Sequence, residues 1–296
     1  MTLHSRISGL ALALTATCAA LLPATAGAQQ DALKRIAQRS QINIGYSEGS
    51  PPFSFKDDKG RPAGYSIDYC MMIVEHLRQE VGKDKLRLNM VPVSTDQLPR
   101  LVGTGAVDLM CAGVSDTPER RTTMGFSQPI FISDVKLLVR AKDGYKSAAD
   151  LKDKHVAVLG RTTTEPALKA YTQRTGVALQ PSRVVTVDAA LSQLRLGNAE
   201  AWARDEILLL GVLARQADKQ NFVLLPDSLA SETIAIALPR DAGLQRVVDQ
   251  AMALAVRSGR ADALYETWFV KPSRAAPQGL NLPKSVALKA EFDRLR

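Results

Sequence analysis

Residues 110–131, MCAGVSDTPERRTTMGFSQPIF, decide how the rest of the chain is read. An apolar run, Ala106-Val107-Asp108-Leu109-Met110-Cys111, reads as a buried strand that ends in the small residues Ala112-Gly113-Val114-Ser115. Thr117, Pro118 and Glu119 then mark a helix start. Thr offers a capping oxygen, Pro fits the first helical position, and Glu suits the positive end of the dipole. Arg120 and Arg121 follow at once. A strand end, exposed backbone N–H groups, Ser115 and an Arg at a helix N-terminus make a carboxylate site, because a guanidinium grips a carboxylate through two parallel hydrogen bonds. Arg120 is assigned that role. Arg121, beside Glu119 on a short helix, is assigned to the solvated face.

Working outward, the 296 residues are 46% hydrophobic and 23% charged, which suits roughly two cored domains. The net charge of +8 is spread along the chain, and no Lys/Arg block is interleaved with aromatics, so nucleic acid is a poor partner. Residues 1–28 read as a cleaved secretion signal. Arg6 gives the positive region, residues 7–22 are apolar, and Ala26-Gly27-Ala28 forms the cleavage site before Gln29. A lipoprotein leader modified on Cys18 is the rival, but Thr15-Ala16-Thr17 fits a lipobox poorly. No later stretch is long and apolar enough to span a membrane. Cleavage leaves Cys70 and Cys111, an even number in an oxidising compartment, which predicts one disulfide; two buried free thiols are the alternative. Two such distant cysteines without nearby His give only a weak metal signal.

Residues 42–46 alternate like a strand, and residues 47–55 form a turn stiffened by Pro51 and Pro52. A hairpin tip at 57–60 leads to a helix over 69–81. A strand over 86–93, a helix over 96–102 and the strand described above complete a parallel α/β unit. Beyond it, 133–140 reads as a strand, 143–154 as a polar helix and 155–159 as a buried strand. Gly160-Arg161-Thr162-Thr163-Thr164-Glu165-Pro166 is a second hydroxyl-rich strand-to-helix turn, whose N–H groups and Thr162 and Thr163 hydroxyls would face a carboxylate. Residues 184–187 and 199–205 read as strands, and the second ends on Asp205. Helices are expected over 188–195, 207–216, 244–258 and 261–269, with a strand over 233–238. His76 and His155 are read as structural.

The order PPFSF, GYSID, TGAVDL, SDTPER and FSQPIF resembles the bacterial extracellular solute-binding proteins that serve amino-acid ABC importers. The likeness covers essentially all of the mature chain. Cys70 after GYSIDY, Cys111 after VDLM and the C-terminal tail make it most similar to the glutamate/aspartate-binding subgroup. The resemblance implies a two-lobed type II periplasmic-binding-protein fold, each lobe a mixed, mostly parallel sheet flanked by helices, with two hinge crossings. Lobe 1 would comprise 29–138 and 234–296, and lobe 2 would comprise 139–233. It further implies a monomeric periplasmic receptor without cofactor or metal, which takes an amino acid and delivers it to a membrane permease. Ser47, Gly113, Ser115 and Arg120 would face the ligand from one lobe, and Arg161, Thr162, Thr163 and Asp205 from the other. Asp205 would take the α-ammonium group, since a buried ammonium needs a carboxylate.

The chain departs from that pattern in places. Ser47 stands where acidic amino-acid binders carry an Arg, Ser50 where an aromatic often stacks on the ligand, and Arg161 where Gly is usual. Arg161 either supplies the missing charge or points to solvent. The rival class is a cyclohexadienyl-dehydratase-like enzyme on the same fold, with Glu48 as candidate acid. Against it stand the absence of a Ser/His/Asp set, of a metal cluster and of a Gly-rich phosphate loop.

Overall fold

The computed structural model describes Met1, residues 31–82 and residues 84–296. The predicted leader, Met1 apart, and its cleavage site lie outside the described residues. Helix α1 (Ala32–Arg39) comes first among residues 31–296. Asp31 caps it, accepting from the Leu33 N–H at 3.0 Å, and Ala32 and Ile36, one turn apart, face inward. The sequence reading overlooked this helix, because eight residues give little periodicity to detect.

β1 (Gln41–Tyr46), α2 (Tyr65–Glu80), β2 (Arg87–Pro92), α3 (Leu98–Gly103) and β3 (Leu109–Ser115) follow. The three strands pair in parallel in the order β2-β1-β3. β3 begins later than its apolar run and continues through the small residues expected to end it. The cause is Asp108, whose carboxylate takes the Asn43 N–H and the Arg35 guanidinium, each at 2.8 Å, so this residue anchors a turn instead of a ladder. Ser115 is thereby the last residue of the strand, one step before the turn that carries α4 (Pro118–Arg121).

β4 (Phe131–Arg140) leads into β5 (His155–Leu159), α5 (Thr164–Thr175), β6 (Gln180–Val184), α6 (Val187–Leu196), β7 (Ala201–Asp205) and α7 (Glu206–Leu213). Two expectations are corrected here. Residues 143–154 form 3-10 turns, Ala141–Asp143 and Ala148–Leu151, because Gly144 takes a left-handed φ of 73° and Ser147 with Asp150 closes a capping box. The strand expected over 184–187 is Gln180–Val184 instead, since the Thr186 hydroxyl caps α6 by accepting from the Ala189 N–H at 3.1 Å. β8 (Ala230–Leu238), α8 (Ala242–Arg257), α9 (Arg260–Tyr265) and α10 (Val286–Asp293) complete the chain.

The sheet order is β6-β5-β7-β4-β8-β3-β1-β2. At each end lie three parallel strands with an antiparallel neighbour, β4 on one side and β8 on the other. This is the two-lobed, mostly parallel α/β architecture of a type II binding protein. β4 and β8 also pair with each other, Ile132 opposite Thr233, so the two sheets form one continuous ladder. Along β4, Phe131 packs in a core with Ile44, Tyr65 and Phe269, whereas Val135, Leu137 and Val139 pack in another with Val156, Val158 and Leu168. On β8, Ala230 lies against the second core and Ile234 within the first. The chain therefore passes between cores twice.

The C-terminal helices return to the first core. Tyr265, Trp268 and Phe269 are buried there, the Phe269 ring lies 4.7 Å from both Tyr65, edge-on, and Phe131, tilted, and the Trp268 indole donates to Asp68 at 2.8 Å. Such aromatic pairs add about 0.5–1.5 kcal/mol each beyond their burial. The Cys70–Cys111 disulfide ties α2 to β3 with Cα atoms 6.2 Å apart. Closing a loop with a sequence separation of 41 stabilises the fold by about 4 kcal/mol in the chain-entropy account.

Candidate functional site

The strand-to-helix turns after β3 and β5 and the end of β7 converge on one cavity of about 70 Å³. Ser47, Gly113, Ser115, Arg120, Thr162, Thr163 and Asp205 line it, together with Arg204. Gly113 is required by packing: a Cβ there would lie 2.9 Å from the Phe53 ring.

On the first-core side, the Thr117 hydroxyl accepts from the Arg120 N–H at 3.2 Å, so the predicted cap forms. The cap starts α4 just far enough from β3 for the Arg120 guanidinium to fold back and donate to the Ser115 carbonyl at 2.8 Å. That bond uses part of the fork and fixes its direction. Burial lowers the pKa of Arg120, opposed by the nearby charges of Glu232, Asp205 and Glu119, and the group remains a cation. Arg121 turns outward and pairs with Asp116 at 2.6 Å.

On the other side, the Thr163 hydroxyl does not cap α5 but donates to Glu232 Oε2 at 2.8 Å. Thr162 lines the cavity, yet its hydroxyl donates to the Leu159 carbonyl at 2.8 Å, which leaves its backbone N–H as the group it can offer. Asp205 stands at the N-cap of α7 without capping it, and is 7% exposed. Its Oδ1 has no partner among the described residues. Burial, then the charge of Glu232, pushes the Asp205 carboxyl up to about 7. An ammonium placed against it would reverse both effects.

Arg161 does not line this cavity. Its backbone takes a left-handed φ of 61°, and its side chain is 77% exposed at the rim, 3.9 Å from Asp96. The solvent-facing alternative is the one realised. Glu48 lies in the outer mouth of the cleft, where it pairs with Lys56 at 2.6 Å.

Two residues of the cavity region were not anticipated. Glu232 on β8 accepts from the hydroxyls of both Ser115 and Thr163, which themselves lie 3.3 Å apart. It therefore bridges the two walls. Arg204, 8% exposed, donates to the Ser50 hydroxyl at 3.2 Å, and Ser50 meets Ser47 at 3.0 Å. Burial lowers the Arg204 pKa to about 10, still far above neutrality.

Among the described residues no group of His, Cys, Asp and Glu is arranged to hold a metal, and no helix is long and apolar enough to cross a membrane. The cavity presents the Arg120 cation on one wall and, on the other, the Asp205 carboxylate with one unpartnered oxygen beside Arg204, with hydroxyls and N–H groups between. That arrangement suits a small zwitterion.

The chain is 31% identical over 281 residues to the L-glutamate/L-aspartate-binding protein of Pseudomonas aeruginosa, covering 93% of this chain and 92% of that one. It is 29% identical over 284 residues to the glutamate/aspartate import solute-binding protein of Escherichia coli K12, covering 96% and 94%. Among solved structures, a mutant of ArgBP from T. maritima superposes with a TM-score of 0.70 at 26% identity, over 81% of this chain and all of that one. The family model for bacterial extracellular solute-binding proteins, family 3, matches residues 42–271, and the chain belongs to that family.

Proposed function

We propose that this protein is a periplasmic receptor that closes on a free amino acid, polar or acidic, and presents it to the membrane permease of an ABC importer. The observation that carries the reading is the placement of Arg120 and Asp205 on opposite walls of one cavity, Asp205 Oδ1 being unpartnered. The α-carboxylate takes the free guanidinium N–H of Arg120 and the N–H groups of the Thr162–Thr164 turn. The ammonium takes Asp205. Each buried charge then has an opposite partner, the condition under which burial strengthens the pair instead of opposing it.

Lobe 1 comprises 31–131 with 234–296, and lobe 2 comprises 135–230, so the first crossing comes earlier than the 138/139 boundary that the resemblance implies. The hinge lies where β4 and β8 change core, between Phe131 and Val135 and between Ala230 and Ile234. A ligand that touches both walls shifts the open–closed equilibrium by its differential contacts alone. The mature protein acts as a monomer without cofactor.

A binder fits better than a dehydratase, because Glu48 is paired with Lys56 at the mouth. Incubation with prephenate is expected to release no aromatic product. A thermal-shift screen against amino acids and small dicarboxylates tests the main reading. Saturation at 100 times Kd adds about 2.7 kcal/mol. N-acetyl and methyl-ester derivatives, which lack one pole of the zwitterion, should give no shift. A screen in which no amino acid raises the melting temperature, or in which blocked derivatives act as well as free ones, refutes it.

A further inference from the structure

We infer that Arg204 is the residue that reads the ligand's side chain, and that it selects a second carboxylate. The inference rests on the proposed amino-acid receptor and names the part of it that sets specificity.

Arg204 belongs to β7, on the wall that also carries Asp205, yet it reaches across the cleft to the Ser50 hydroxyl. Ser50 and Ser47 are small, and their hydroxyls meet each other at 3.0 Å. The space a longer side chain would occupy at either position is therefore open to the guanidinium from the opposite wall. The Trp202 ring lies 5.9 Å from the guanidinium carbon and holds the group on its apolar side. Of its polar atoms, Nη1 is buried and has no partner, and no carboxylate lies within ion-pair distance of Arg204 among the described residues.

A buried guanidinium with an idle N–H is costly unless an anion meets it. Position decides which anion. The α-carboxylate is claimed by Arg120 and the ammonium by Asp205. Arg204 lines both the inner cavity and the wider mouth, with Ser47, Ser50, Ser94 and Thr95. It thus stands where a side chain leaving the α-carbon toward the mouth would arrive. The hydroxyls of Ser47 and Ser50 supply further donors, as a carboxylate with several lone pairs requires. The charge expected at residue 47 or 161 is supplied instead by residue 204.

The test is the affinity of the full mature chain for glutamate, aspartate, glutamine and asparagine by calorimetry, with and without Arg204→Gln and Arg204→Met. The first substitution keeps an N–H donor and removes the charge; the second removes both and keeps the stem. The unsubstituted chain should prefer the acidic ligand of each pair. Each variant should lose about 10- to 100-fold more affinity for the acidic ligand than for its amide, the range of a charge-assisted hydrogen bond. Arg204→Lys should recover part of the preference. Equal losses for acid and amide, or an unsubstituted chain that prefers the amide, overturn the assignment while leaving the receptor reading in place. If none of the four ligands binds the unsubstituted chain, and no other amino acid does, the receptor reading falls with it.

Discussion

On the proposed reading, Asp205 would make ligand binding a proton-release reaction, and the size of the effect follows from its surroundings. Burial and the Glu232 charge raise its carboxyl to about 7 in the closed cavity. An ammonium must meet the ionised form, so the proton leaves as the ligand arrives. One pH unit below that pKa the competition weakens binding about tenfold, and one unit above it the effect nearly vanishes. Affinity should therefore rise about tenfold from pH 6 to pH 8. At pH 7 about half a proton should be released per ligand bound. Calorimetry in buffers of differing ionisation enthalpy measures that proton directly. Asp205→Asn should bind weakly with a flat profile. Glu232→Gln should move the midpoint to lower pH, because one of the two causes of the raised pKa is removed. The unliganded chain carries the opposite signature. Its folded pKa lies above the ordinary 3.8, so the folded state holds a proton that the unfolded state lacks. The resulting stability is present below about 4 and is lost as the pH rises toward 7. Affinity constant within twofold between pH 6 and 8, with heats independent of the buffer, would refute the reasoning.

Three further outcomes are expected. Arg120→Ala should weaken amino-acid binding by about 2 kcal/mol or more, since the α-carboxylate is left buried without its cation; unchanged affinity by calorimetry counts against it. Gly211→Ala acts at a distance from the ligand: a Cβ on this residue of α7 would stand 2.2 Å from the Pro51 carbonyl oxygen. Relief of that clash costs about 1–3 kcal/mol, and it parts α7 from the loop that holds Ser50, so the closed form and ligand affinity should both be lost by about 5- to 150-fold; small-angle scattering with saturating ligand should report a more open particle, and an unaltered profile sinks the idea. Replacing both Cys70 and Cys111 with Ser should lower the melting temperature by roughly 8 °C or more, from about 4 kcal/mol of loop closure, with a change below one degree as the refuting result.

The fold was legible because its central strands are buried on both faces and read as continuous apolar runs between turn signals. β3 and β5 are buried along most of their length. Misreadings arose where a polar residue took over a backbone role. The Asp108 carboxylate takes the Asn43 N–H and delays the start of β3, the Ser147–Asp150 box and Gly144 break the helix expected over 143–154, and Thr186 ends β6 early to cap α6. In each case the side chain competes with regular structure by bonding to nearby backbone, which apolar periodicity does not register.

The candidate site was legible where a motif sits at a strand end with its own turn chemistry, as at Ser115, Arg120, Thr163 and Asp205, which share one cavity. Arg204 was hidden by the same logic that found Asp205. Successive residues of a strand point to opposite faces, so a reading that aims Asp205 into the cleft sends Arg204 away from it. At the end of β7 the backbone leaves the pleat, with Asp205 at φ −51° and ψ 131° before α7, and both side chains reach the cavity. Glu232 was hidden by register. Only when β8 pairs Glu232 with Ser133 and Ile234 with Ser115 does its carboxylate fall between the two ligand turns. Its position carries a consequence for closure. Glu232 lies on the strand that passes between the cores, and it accepts from Ser115 on one wall and Thr163 on the other. The walls are therefore tied through that strand. On the proposed reading a ligand would supply only the remainder of the closing free energy, through Arg120, Asp205 and Arg204.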